Sequence, residues 1–264
     1  MKFVDQLDQA AKENSSLLCV GLDLDLSKLP PSIIRSEDPL FIFNKSIIDA
    51  TRDLVCAYKP NSAFYEMYGL SGLNALLKTI DYIHAAGLPV ILDAKRGDVG
   101  HSSSAYAKAA FEVYKADSVT VSPYMGYDSI QPFIEYQEKG VFILCLTSNA
   151  GFRDFQNSGN KEPLYKSVAR HAKEWNHYDN CGLVVGATKA EELKEIREIA
   201  GDMPILIPGV GAQGGDLAAA VKFGVNKQGM RAVINASRSI LYANDPRAEA
   251  KKLRDEINKH RDSR

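Results

Sequence analysis

The stretch Val90-Ile-Leu-Asp-Ala-Lys-Arg-Gly-Asp-Val-Gly100 runs from an apolar segment straight into Asp93, Lys95, Arg96 and Asp98. The apolar half lacks polar alternation, as expected of a strand covered on both faces, which is the situation of a parallel sheet between helices. The charged half is costly beside such a strand unless the charges pair or perform chemistry. A strand end carrying clustered charge is therefore the first candidate for a site.

Seven further runs have the same character: 16–24 (SLLCVGLDL), 54–60 (LVCAYKP), 118–123 (SVTVSP), 141–147 (VFILCLT), 182–187 (GLVVGA), 204–210 (PILIPGV) and 231–237 (RAVINAS), with 89–95 as the third in order. Between them lie amphipathic segments with apolar residues three and four apart, such as PLFIFNKSIIDATRDL (39–54) and LSGLNALLKTIDYIHAAG (70–87), the latter closing at Gly87. The segment 188–202 opens with the capping box Thr188-Lys-Ala-Glu191 and closes at Gly201. DLAAAVKFGV (216–225) and DPRAEAKKLRDEINKH (245–260) complete the helical set. Eight alternating strand and helix units in 264 residues predict an α/β fold of the (β/α)8 TIM-barrel type, one domain over 1–264. An open doubly wound sheet is the structural alternative, but no G-x-G-x-x-G opens the first unit. The polar stretch 148–163 is expected to be a long loop over the site.

Composition excludes several classes. Net charge is −1, which argues against a nucleic-acid footprint or an anionic membrane surface and limits any basic site to a small anion. Cys19, Cys56, Cys145 and Cys181 each lie in or beside an apolar run, with no C-x-x-C spacing, and read as free buried thiols of a reducing compartment. The first sixteen residues carry acids and read as a short amphipathic helix rather than a signal peptide; no window reaches the ~18 apolar residues of a membrane span. A cytoplasmic protein is expected.

In a barrel, chemistry collects at the C-terminal strand ends. Those ends offer Asp23 and Asp25, then Lys59 and Asn61, then Asp93, Lys95 and Asp98, then Ser122, then Thr147 and Ser148, and finally Ser237 and Arg238. Asp93 and Lys95, two apart on a strand, are expected to point the same way, toward the axis, within reach of Lys59 from the neighbouring strand. An alternating Lys-Asp-Lys-Asp array would satisfy each buried charge and hold an ammonium in one place; a purely structural salt-bridge network is the plainer alternative. Asp25 and Arg96 read as surface or loop charges. The segment PGVGAQGGDLAAAV (208–221) places freed backbone N–H groups at a helix start, and Arg238 stands at the next strand end, which together predict a phosphate pocket.

These pieces resemble the orotidine 5′-monophosphate decarboxylase family, whose mark is Asp-x-Lys-x-x-Asp, here Asp93-Ala-Lys95-Arg-Gly-Asp98. The wording LDAKRGDVG is most similar to the longer, bacterial-type branch. The likeness extends through CVGLDLD, AYKPNSAFYE, DAKRGDVGHSSSAYA, VSPYMGYDS, LTSNAG, IPGVGAQGGD and NASRSI. It implies a cofactor-free, metal-free decarboxylation of orotidine 5′-monophosphate to uridine 5′-monophosphate in pyrimidine biosynthesis, by a homodimer with sites at its interface. By the same resemblance Lys59, Asp93, Lys95 and Asp98 form the catalytic array, with Asp98 reaching the partner's site. Asp23 holds ribose hydroxyls, Asn61 supports Lys59, and Ser102 touches ribose or phosphate from the partner. Thr147 or Ser148 reads the pyrimidine amide edge, and Gln213 and Arg238 bind phosphate. His101 occupies a usually small position and has no role in this reading. Two rivals are weighed: a Mg²⁺-dependent sugar-phosphate lyase of the same superfamily, disfavoured because Lys59 stands where a carboxylate would hold the dication, and a non-catalytic nucleotide-binding regulator, disfavoured because the whole array is present.

Overall fold

A computed structural model describes residues 1–159, 162–210 and 216–263. Eight parallel strands form one sheet in the order β2-β1-β8-β7-β6-β5-β4-β3. They are β1 Leu18–Gly21, β2 Ala57–Lys59, β3 Ile91–Arg96, β4 Ser118–Val121, β5 Gly140–Leu146, β6 Cys181–Val185, β7 Ile205–Pro208 and β8 Ala232–Ala236. The ends of that order meet through the parallel bridges Tyr58↔Val90 and Asn61↔Asp93, so β2 and β3 close the barrel. Each strand falls within or one residue beyond the run that predicts it, because a strand buried on both faces announces itself by apolar continuity.

The helices form where capping and periodicity ask for them. Asp38, Asp216 and Asp245 accept hydrogen bonds from Phe41, Ala219 and Ala248 N–H at the starts of Pro39–Thr51, Leu217–Gly224 and Pro246–Asp262. Gly87 and Gly201 adopt φ of +76° and +62° just past Gly69–Ala85 and Ala190–Ala200, a conformation glycine takes without penalty. The expected capping box at Thr188 does not form. Lys189 N–H bonds to Gly186 C=O in a turn leaving β6, so the helix begins at Ala190 with Lys189 as its N-cap and Thr188 inside the turn. The segment 148–163 is also not all loop, since Phe152–Phe155 makes a helical turn.

The N-terminal helix Phe3–Glu13 buries Phe3, Val4, Leu7, Ala10 and Ala11, the stripe that its periodicity predicts. Phe3 meets Phe142 edge to face at 5.8 Å and lies on Gly140, the first residue of β5, where a Cβ would come within 2.2 Å of its ring. This helix therefore lies over the N-terminal ends of the strands, leaving the opposite end for the site. The four cysteines are buried and free, and burial pushes the Cys56 and Cys181 thiols up to about 12. Among the described residues no helix is long and apolar enough to cross a membrane.

Candidate active site

The C-terminal strand ends enclose a pocket of about 330 Å³. Its polar wall includes Asp23, Lys59, Asn61, Asp93, Lys95, Thr147, Ser148 and Arg238, and Leu144, Leu146, Val184 and Leu206 supply an apolar wall. With Ser237, nine residues offered by the sequence at strand ends thus meet in one cavity although they come from five strand ends.

At its floor is a charged array. Lys59 Nζ donates to Asp93 Oδ2 at 2.8 Å and lies 3.9 Å from Asp23 Oδ1. Lys95 Nζ donates to Asp93 Oδ1 at 2.6 Å. Burial alone would lower the Lys59 ammonium's pKa, but Asp93 and Asp23 more than offset it, and the group is held above the ordinary lysine value. Burial likewise opposes ionisation of Asp93, yet Lys59 and Lys95 hold its carboxyl well below the usual carboxylate range. The two ions therefore stay charged throughout the neutral range. Exposure separates the two lysines: the Lys59 side chain is 3% exposed and that of Lys95 46%, so Lys95 is the ammonium presented to the cavity.

The array is not built as strand alternation predicts. β3 pairs with β4 at Leu92↔Val119 and again at Arg96↔Val121, so four steps of β3 span two of β4. This bulge places Lys95 at φ +47°, a left-handed conformation that costs of order 1 kcal/mol or more for a residue with a Cβ. Lys95 does face Asp93, but through the bulge rather than through the period of two. Thr120, fully buried on β4 in an apolar run that hides its polarity, also joins the array. Its hydroxyl donates to Asp93 Oδ1 at 2.9 Å and accepts from Lys95 N–H at 2.9 Å. The polar residue expected from this strand was Ser122, which does not line the pocket among the described residues.

Asn61 bridges to Asp93 through the backbone, and its side chain accepts from Ala63 N–H, which starts the turn after β2. Thr147 is clamped by Gln156, whose Oε1 accepts from Thr147 N–H at 2.7 Å and whose Nε2 donates to its hydroxyl at 2.9 Å. Ser148 sits against Gly186, where a Cβ would come 2.8 Å from Ser148 N, so only glycine permits that approach. Asn235 and Ser237, at the end of β8, also line the pocket. Asn235 Oδ1 and Asp23 Oδ1 are buried and accept no hydrogen bond among the described residues. Asn235 was legible only as part of an apolar strand, and its polarity was the overlooked signal.

Arg238 opens the short helix Arg238–Leu241 and is exposed at the pocket, with no ion-pair partner among the described residues. Asp98 and Ser102 do not line this pocket among the described residues. Asp98 accepts from Val99 N–H at 2.8 Å, and His101 and Ser102 are exposed in the first turn of Gly100–Lys108. Gln213 falls outside the described residues. Asp25 accepts from Ser27, and Arg96 pairs with Glu66 over the Tyr106 ring, so both belong to the surface as expected.

Comparison with known proteins gives one answer. Residues 16–253 match the model of the Orotidine 5′-phosphate decarboxylase / HUMPS family. Orotidine 5′-phosphate decarboxylase of Ralstonia nicotianae is 50% identical over 272 residues, covering 99% of this chain and 100% of that one. The enzyme of the same name from Dehalococcoides mccartyi is 50% identical, with 99% of each chain covered. Among solved structures, Leishmania donovani OMP decarboxylase superposes with a TM-score of 0.88 at 42% identity over 99% of both chains.

Proposed function

The chain belongs to the orotidine 5′-phosphate decarboxylase / HUMPS family, and we propose that it converts orotidine 5′-monophosphate to uridine 5′-monophosphate without a cofactor, using Lys95 as cation and proton donor. The observation that carries the reading is the Lys59–Asp93–Lys95 array at the barrel mouth, with one ammonium buried and the other presented to the cavity.

Loss of CO₂ from C6 leaves an electron pair on a carbon with no attached sink. A preorganised cation then supplies the stabilisation. In the proposed step the C6–carboxylate bond breaks, the pair remains on C6, and Lys95 Nζ delivers its proton there, to be reprotonated from solvent. Asp93 holds Lys95 by its 2.6 Å hydrogen bond and stands beside the departing carboxylate, so that repulsion between the two anions falls as CO₂ leaves. Asp23, which lines the pocket, supplies a carboxylate for substrate hydroxyls, and Arg238 supplies for the phosphate a guanidinium with no ion-pair partner among the described residues. Thr147 or Ser148, which line the same pocket, reads the pyrimidine amide edge in this proposal.

The active unit in this proposal is a homodimer in which Asp98 and Ser102 serve the partner's pocket. Their absence from the lining of their own pocket supports it, as does the exposed apolar surface of Val99, Tyr106, Tyr124 and Met125 in the segments after β3 and β4.

The test is turnover of orotidine 5′-monophosphate in excess chelator, following CO₂ release and uridine 5′-monophosphate formation. Full activity is expected, because the Lys59 ammonium already lies between the Asp23 and Asp93 carboxylates, where a dication would have to sit. Absence of turnover, or turnover that requires added Mg²⁺, would overturn the reading.

A further inference from the structure

We infer that Thr120 is a positioning residue of the decarboxylation, acting through Asp93 and Lys95 at once; the inference rests on the function proposed above. Thr120 is fully buried on β4, opposite the bulge of β3. The bulge takes Lys95 out of the regular ladder, and its N–H finds the Thr120 hydroxyl at 2.9 Å rather than a strand carbonyl. A hydroxyl has one proton, and a carboxylate only accepts. With Lys95 N–H donating in, the Thr120 proton is committed to Asp93 Oδ1 at 2.9 Å, so the rotor is locked by its two neighbours.

The consequence is geometric. Asp93 Oδ1 receives both Thr120 Oγ1 and Lys95 Nζ, and Oδ2 receives Lys59 Nζ. The three donors fix the plane of the carboxylate, and that plane fixes the reactive ammonium. Thr120 also satisfies the backbone N–H of the residue whose φ is +47°, and so supports the conformation that turns Lys95 toward the cavity. Valine at this place keeps the shape and removes both hydrogen bonds.

The experiment compares Thr120→Val and Thr120→Ser with the wild type in steady-state turnover of orotidine 5′-monophosphate, with calorimetric binding of uridine 5′-monophosphate as a count of intact sites. Thr120→Val is expected to lower kcat by about 10–100-fold, the scale of a lost hydrogen bond to a charged group, with KM and product binding within about threefold. Thr120→Ser, which restores the hydroxyl, is expected within about threefold of wild-type kcat. Should the valine protein not fold, Thr120→Ala reads the same split. A purely packing role predicts a lower melting temperature with unchanged kcat per intact site. That result, or a serine variant as impaired as valine, overturns the inference while wild-type turnover keeps the decarboxylase reading standing. A wild type without turnover overturns both.

Discussion

Two buried carboxylates sit toward opposite ends of β3 and β4, and each gathers side-chain partners that include a lysine. Asp93, at the C-terminal mouth, holds Lys59, Lys95 and the Thr120 hydroxyl. Asp117, at the N-terminal end, holds His84 Nε2 at 2.7 Å, Lys139 Nζ at 3.6 Å and the backbone N–H of Val90 at 2.9 Å. The ingredients are alike, but the backbone around them is not. Asp117 lies where Val90 C=O accepts from both Asp117 and Ser118 N–H, so it reinforces regular pairing of the strand starts. Asp93 lies where that pairing is interrupted and a lysine is held in a left-handed conformation facing the cavity. A clustered charge is thus a weak sign of chemistry by itself. Backbone strain and a half-exposed ammonium at the mouth make the distinction.

If the mouth array were only a second strand clamp, turnover would survive the loss of its exposed lysine. Lys95→Ala is expected to lower kcat by at least ~10³-fold while uridine 5′-monophosphate still binds, because a preorganised cation is lost. Activity within tenfold of wild type would end the assignment. Lys95 is the right residue to remove, since truncating the buried Lys59 would leave Asp93 without one of its partners and cost about 3–5 kcal/mol of stability, confounding the assay.

Arg238→Ala is expected to raise KM by about 10–100-fold, the scale of a lost charge-assisted contact. A substrate analogue lacking phosphate supplies the control: wild type should handle it poorly, and the substitution should scarcely matter. Equal damage to both substrates would make Arg238 structural.

The other end of the barrel gives the converse expectation. Asp117→Ala should lower unfolding free energy by about 1–3 kcal/mol, read by chemical denaturation, with kcat within about threefold of wild type. A large loss of kcat with unchanged stability would erase the contrast between the two carboxylates.

The smallest expected signal concerns Asp98. Lys95→Ala and Asp98→Asn proteins, each inactive alone, are mixed and allowed to exchange subunits. In a mixed dimer with shared sites one site carries both substitutions and the other neither. Random pairing makes about half the dimers mixed, so about a quarter of wild-type activity should return. No recovery, with exchange verified by mass spectrometry of differently labelled subunits, would place Asp98 in its own barrel's chemistry and overturn the shared site.

Much of this protein follows from its sequence alone. Strands covered on both faces must be continuously apolar, so all eight were legible, and helix starts at Asp38, Asp216 and Asp245 follow from local capping chemistry. The charges that end those strands had to meet at one end of a barrel, which brings Lys59, Asp93, Lys95 and Arg238 together from far-apart segments. What only the tertiary structure decides is everything that depends on register between strands. The β3 bulge, the left-handed Lys95 and the Thr120 hydroxyl beneath it rest on contacts between residues 25 to 27 positions apart. Periodicity reports which face of an element is apolar, but it carries no term for how far one strand slides past the next. That slide is set by packing of the whole barrel, and it determines which buried hydroxyl meets which carboxylate.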